Sequence, residues 1–277
     1  MPSRLTAALF VPLVLGGLPA RGQESSPTQP QPLWELGAVA FGVSQQAYPG
    51  ADEQVNRGLV LPYVIYRGPL LRADRGGVSV RAVKTPRFEL DIGVAGSFGG
   101  SSDDIDARDG MPDLGTLVQF GPRVKWNIGQ WPANVLWRFE VPLRGVFDLD
   151  DGLESRGYAL EPELSVRFSA GGWNTSIGVS ALAGNARLNR TYYEVAPRYA
   201  TPWRPAYEAR AGLIALRFGG SVWRDLTADW RLFAFAWADS VDGARNEDSP
   251  LVRSRTGATA GIGATYTWKR STRMAAD

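Results

Sequence analysis

The stretch Leu114–Ser169, LGTLVQFGPRVKWNIGQWPANVLWRFEVPLRGVFDLDDGLESRGYALEPELSVRFS, contains three segments in which apolar and polar residues alternate almost without a break. In the first, Leu114, Thr116, Val118, Phe120, Pro122, Val124, Trp126 and Ile128 share one face, and Gln119, Arg123, Lys125 and Asn127 the other. In the second, Val135, Trp137, Phe139, Val141 and Leu143 oppose Arg138, Glu140 and Arg144. In the third, Tyr158, Leu160, Pro162, Leu164, Val166 and Phe168 oppose Glu161, Glu163, Ser165 and Arg167. A period of two places successive side chains on opposite faces of a strand. Each run is about ten residues or longer, above the usual five or six of a soluble strand and near what a tilted strand needs to cross a bilayer. Alternation alone also fits a soluble sandwich, whose outer faces meet water.

The rest of the chain favours a barrel in a membrane. Arg4, the apolar run Leu5 to Leu18 and the small-x-small site Ala20-Arg21-Gly22 have the form of a secretory signal. The expected organisation is a signal peptide over 1–22, a flexible periplasmic leader over 23–33, an outer-membrane barrel over 34–268 and a tail over 269–277. No later run is apolar enough for a spanning helix, and mean hydropathy is -0.18. Lipid-facing and lumen-facing residues average out in a barrel, so it escapes a hydropathy scan. Thirty-two glycines, ten tryptophans, nine tyrosines and eleven phenylalanines suit tight turns and aromatic girdles.

The chain has no cysteine and no histidine. That removes Ser-His-Asp and Cys-His arrangements and any zinc site built on those ligands. Thirty basic against twenty-eight acidic residues give no nucleic-acid signal. No cofactor and no metal are expected, and the chain reads as a non-enzyme.

Further strands are expected near Trp34 to Ser44, Leu59 to Tyr66, Leu70 to Val83, Phe88 to Val94, Trp173 to Gly184, around Leu216 to Val222, around Phe233 to Trp237, and Ala258 to Trp268. Long connections (99–113, 148–157, 185–206, 240–255) alternate with short ones (129–133, 170–172, 224–228), the pattern of long outer loops and short periplasmic turns. Counting gives eleven, and a bacterial barrel takes an even number. Splitting Leu70 to Val83 at Gly76-Gly77 gives twelve, the favoured count; dropping the first strand gives ten. The fold expected is all-β: a transmembrane antiparallel up-and-down β-barrel of twelve strands.

Four stretches, QQAYPGADEQVNRGLVLPYVIYRGP, ARDGMPDLGTLVQFGPRV, NRTYYEVAP and DSPLVRSRTGATAGIGATYTW, resemble the MipA/OmpV family of outer-membrane proteins, from about residue 34 to 268. GMPDLG and the Pro62-Tyr63-x-x-Tyr66-Arg67 segment are the most specific. The resemblance implies location in the outer membrane of a Gram-negative cell. It also implies a scaffold role, linking a lytic transglycosylase to a peptidoglycan synthase, with membrane lipid and those periplasmic enzymes as partners. Barrels of this kind usually end on an aromatic residue; here Trp268 would be that residue, and Lys269 to Asp277 follow it.

The inward set expected is Glu89, Asp91, Arg123, Lys125, Arg138, Glu140, Arg144, Glu161, Glu163, Arg167 and Arg217. The plainer reading is a paired network filling the lumen, because an unpaired buried charge is costly. The alternative is a small pore for ions or small solutes, its selectivity set by those charges. Glu161 and Glu163 lie on one face, yet carboxylates held by arginines make poor general acids. Asp103, Asp104, Asp106, Asp109 and Asp113 crowd one loop without the spacing of a calcium loop and read as a solvated acidic segment.

Overall fold

The structure, a computed structural model, describes residues 32–274 apart from 68–70, 75–76, 81–82 and 86. The signal peptide, all of the leader before Pro32, the Gly76 turn position and the last three tail residues lie outside the described residues. Fourteen strand segments follow in chain order: β1 (Trp34–Gln46), β2 (Gln54–Arg67), β3 (Leu71–Asp74), β4 (Gly77–Val80), β5 (Val83–Lys84), β6 (Phe88–Ser97), β7 (Leu117–Gln130), β8 (Leu136–Asp148), β9 (Glu154–Leu160), β10 (Glu163–Ala170), β11 (Trp173–Gly184), β12 (Gly212–Asp225), β13 (Trp230–Ser240) and β14 (Thr256–Arg270). Each pairs antiparallel with its neighbours, and β14 returns to pair with β1. β9 and β10 both lie between β8 and β11. They form one crossing, interrupted at Glu161-Pro162, where proline lacks the N–H a ladder needs. β4 pairs with β3 and also lies against β6, while β5 pairs with β6. Counted this way, the described residues make an antiparallel sheet of twelve strands, whose two ends are brought together where β4 lies against β6. β3 and β4 are separate strands on either side of Gly76, as the split of Leu70 to Val83 requires.

No described helix is long and apolar enough to cross a membrane; the crossing elements are strands. Their outer faces are apolar: Val60, Phe218 and Ile262 are 74%, 62% and 69% exposed. Eight of the ten tryptophans (Trp34, Trp126, Trp131, Trp137, Trp173, Trp223, Trp230 and Trp268) stand near the short turns or the chain termini. At the same end Phe88 stacks on Trp126 with centroids 5.8 Å apart, and Trp230 lies 4.8 Å from Tyr266. Phe120 and Phe147 stack at 4.8 Å toward the long loops. Two aromatic belts around an apolar band are the signature of a membrane barrel.

The rule of apolar outside and polar inside fails on one flank. Val39, Phe41, Val43, Phe233, Phe235 and Trp237 turn inward, joined by Trp223, Leu59, Leu61 and Phe98 in a packed cluster. The outer faces of the same strands carry Ala38, Ala40, Gly42, Ala234, Ala236 and Ala238. The inward rings need glycine opposite them. A Cβ on Gly263 would stand 2.5 Å from Phe233 Cζ and 2.6 Å from both Ala40 O and Phe41 Cβ; one on Gly261 would stand 2.5 Å from Phe235 Cζ. Because backbone as well as ring must move, Gly263→Val should destabilise the barrel by about 1–3 kcal/mol, measured as a lower temperature for loss of heat-modifiable gel migration.

Three expectations are corrected. Leu114 is not part of the β7 face; it is buried among the loops, and β7 starts at Leu117. The segment after Gly184 is not all loop: it opens with a helix, α1 (Ala186–Tyr193). The last strand does not stop at Trp268. It runs to Arg270, and the tail then folds back on the first residues, with Ser271 N donating to Trp34 O and Met274 bridging to Pro32.

Candidate functional site: a charged lumen under a folded cap

The polar residues expected inside lie on the more buried face of their strands, most of them paired in two groups, one around Asp91 and Glu140 and one around Glu161. Asp91, 1% exposed, accepts both Nε (2.9 Å) and an Nη (2.8 Å) of Arg123 and also Lys125 Nζ (2.7 Å). Lys125 also reaches Glu89 at 3.4 Å. Glu140 lies 3.3 Å from Arg167 and 3.7 Å from each of Arg123 and Arg138. Arg138 Nε donates to Asn127 Oδ1 at 2.8 Å. Glu161 is shared by Arg144 (3.0 Å) and Arg217 (3.2 Å) and accepts from Ser180 Oγ (3.3 Å). Arg217 in turn binds Asp239 in bidentate fashion at 2.7 and 3.2 Å. Glu163 sits beside Ser165 and over Gly178, without a salt bridge among the described residues. Asp239 is the member the sequence did not single out; its signal was the odd-numbered inward parity of β13, shared with Phe233 and Phe235.

A separate charged pair stands at the loop end of the barrel. Asp148 takes Arg156 through two nitrogens at 3.1 and 2.9 Å. Above it the long connections 47–53, 98–116, 185–211 and 241–255 pack against one another around Tyr48, Ile105, Leu114, Leu188, Tyr193, Val195 and Leu251. These loops form a single folded cap over the long-loop mouth.

Helix α1 lies at its centre. Asn185 caps it, its Oδ1 accepting from Leu188 N and from Tyr158 N, both at 3.1 Å. Opposite the cap stands Gly157, at φ +110, where a Cβ would come 2.9 Å from Leu188 N. Eight residues are too few for a stable helix alone, so α1 depends on this packing. Tyr48 Oη donates to Leu251 O (2.6 Å), Tyr193 Oη to Pro49 O (2.9 Å), and Ser249 Oγ to Tyr193 O (2.7 Å). Burial raises both phenols above their ordinary pKa and keeps them protonated as donors.

Two buried arginines tie the cap without a carboxylate. Arg108 donates to Thr191 O and Pro112 O. Arg204 donates to Tyr199 O twice (3.2 and 3.0 Å), to Ala107 O (3.0 Å) and to Asp109 O (2.9 Å). Hydrogen bonds from a charged donor are the stronger kind. Arg204→Ala should therefore loosen the loops while leaving the strands paired. The expected result is cleavage of segment 98–116 by added protease at least about tenfold faster, with the barrel core still migrating as folded on gels.

The acidic loop has no metal-binding geometry: among the described residues no group of three or more carboxylates could hold an ion. Asp103, Asp104, Asp106 and Asp109 are exposed. Asp113 instead accepts from Ser102 N (2.6 Å) and Ser101 Oγ (3.3 Å), and Gly110 takes φ +74. GMPDLG is thus a turn that fixes the loop before β7.

The stretches that carried the family resemblance meet in this cap. Tyr48 comes from the first, Leu114 from the second, Tyr193 from the third and Leu251 from the fourth. The sequence matches the family of MltA-interacting protein MipA over residues 36–268. The chain belongs to the MipA family. It is accordingly an outer-membrane β-barrel, with the short turns expected on the periplasmic side.

No curated protein matches the chain. Among solved structures, the NanC porin is 9% identical, with 83% of this chain and 98% of that one covered at a TM-score of 0.39. OprB of Pseudomonas putida is 7% identical (85% and 94% covered, TM-score 0.39). Outer membrane phospholipase A from Escherichia coli is 10% identical (84% and 92% covered, TM-score 0.35). At such identities and scores these likenesses say nothing of activity.

Proposed function

We propose that this MipA-family barrel is a non-enzymatic scaffold that links a murein-cutting lytic transglycosylase to a peptidoglycan synthase. The family is named for an interaction with MltA, which supports a periplasmic wall enzyme as partner. One observation carries the choice of scaffold over pore. Most of the inward charges are paired with one another, an aromatic cluster packs the other flank, and a folded cap lies over one mouth. Twelve strands lie between the filled barrels of eight and the open ones of sixteen, and this interior resembles the filled kind. Such a barrel offers partners its rim and leaves little path for solutes. The lumen residues from Glu89 to Arg217 then serve as internal bracing, and the absence of histidine and cysteine leaves no Ser-His or Cys-His pair among them.

Two measurements on the purified barrel test this. Immobilised barrel should retain a purified lytic transglycosylase and a purified synthase together, and planar bilayers containing it should show no discrete conductance steps. Retention of neither enzyme, with steps whose size changes in Glu161→Gln, would replace the scaffold with a small pore.

A further inference from the structure

The barrel is electrically polarised along its axis. The long-loop segments 47–53, 98–116, 149–153, 185–211 and 241–255 hold fourteen acidic against nine basic residues. The short-turn rim has the opposite bias. Its acids are already engaged: Asp225 holds Arg231 at 2.5 Å, and Asp229 holds Arg270. Four cations remain exposed there, Arg87, Arg224, Lys269 and Arg273, none with a carboxylate in salt-bridge range among the described residues.

These cations are interleaved with the tryptophan belt. Arg87 precedes Phe88, which stacks on Trp126. The Arg224 guanidinium lies 5.8 Å from the centre of the Trp173 ring. Lys269 follows Trp268, which is 53% exposed. Tryptophan belts mark the depth of lipid headgroups. Long basic side chains at that depth lay their stems along apolar surface and lift the charge to the interface. On the lipid-facing wall a cation without an acid partner is costly in hydrocarbon and nearly neutral in cost at the interface. An anionic headgroup there supplies the missing counter-charge.

We propose that the short-turn rim is a docking surface for anionic phospholipid headgroups. It holds the barrel at a fixed depth and orientation in the leaflet it faces. The inference does not rest on the scaffold reading, because it uses the barrel alone. A protein partner of acidic character is the weaker fit, since Arg87, Arg224 and Lys269 adjoin aromatic residues of the belt itself. The acid-rich loop rim should show no such preference.

The test uses the full chain in bilayers of phosphatidylcholine containing either brominated phosphatidylglycerol or brominated phosphatidylcholine. Quenching of the belt tryptophans reports which lipid sits against them. The expected result is a several-fold preference for phosphatidylglycerol, shrinking as salt rises, since exposed charges are screened. The combined variant R87Q/R224Q/K269Q/R273Q should lower the preference close to unity while keeping heat-modifiable migration. If that variant fails to fold, R224Q and K269Q singly should each lower it in part. Equal quenching by both lipids in the unaltered barrel would overturn the proposal. So would a preference that survives in the variants.

Discussion

Asp91→Leu should destabilise the barrel by about 3–5 kcal/mol, among the largest effects of any single change in the chain. Asp91 lies on β6, almost wholly enclosed, and is the shared acceptor for Arg123 and Lys125. The arginine pair is bidentate, the geometry in which a guanidinium and a carboxylate fit best. Removing one partner of a buried ion pair leaves an uncompensated charge, and that residual charge sets the magnitude. Here two cations lose their nearest acid at once, although Lys125 keeps Glu89 at 3.4 Å and Arg123 keeps Glu140 at 3.7 Å. A urea titration followed by gel migration or tryptophan emission would measure the loss. The triple change Asp91→Leu, Arg123→Leu and Lys125→Met should recover most of it, because replacing a whole buried ion group by apolar side chains is often neutral or stabilising. A triple variant as unstable as the single one would show that the cost comes from lost shape rather than from stranded charge.

Val124→Arg should cost about 2–4 kcal/mol, and Phe139→Arg distinctly less. Both positions face outward, yet they lie at different depths. Val124 is 44% exposed on β7, between the Phe120 pair near the loops and Trp126 in the belt near the turns. Phe139 is level with Trp126 in the β7–β8 register, whereas Val124 is level with Val141. An arginine at Phe139 can reach the interface; one at Val124 meets hydrocarbon. Refolding equilibria of the two variants in the same lipid give the comparison, and equal costs would mean that the belt is misplaced along β7.

The face assignments of β7, β8 and β10 were legible in the sequence because charged side chains alternate with large apolar ones, so only one orientation avoids charge in lipid. On β1 and β13 the alternation is as regular, but the contrast is phenylalanine against alanine. Both faces are apolar there, and the side that turns inward is set by the glycines of β14 opposite, which hydrophobicity does not encode. The break at Glu161-Pro162 leaves parity intact, so reading one continuous face across it was sound. Helix α1 was not legible: it is short, its mean polarity is high, and its cap works only because Gly157, on a distant strand segment, makes room for Asn185. The depth of Phe139 was likewise invisible, since depth depends on register with β7 rather than on the run in which the residue sits. Within the candidate site, the identities of the charged residues could be read from strand parity. Their partners could not, because pairing depends on which strands become neighbours and by how many residues they are staggered.

The cap also bears on the order in which the molecule is built. Its hydrogen bonds join residues far apart in the chain: Tyr48 to Leu251 spans 203 positions, Tyr193 to Pro49 spans 144, and Arg204 to Ala107 spans 97. Closing loops of that size in a free chain costs entropy that a single hydrogen bond does not recover. Once β1 has paired with β14, the same ends already lie side by side, and most of that cost has been met by the sheet. Cap formation is therefore a late event, conditional on closure of the seam between the first and last strands. Protection of the 98–116 and 185–211 segments would then time the completion of assembly from the outer side, while a barrel stalled with an open seam would still display them as separate, cleavable loops.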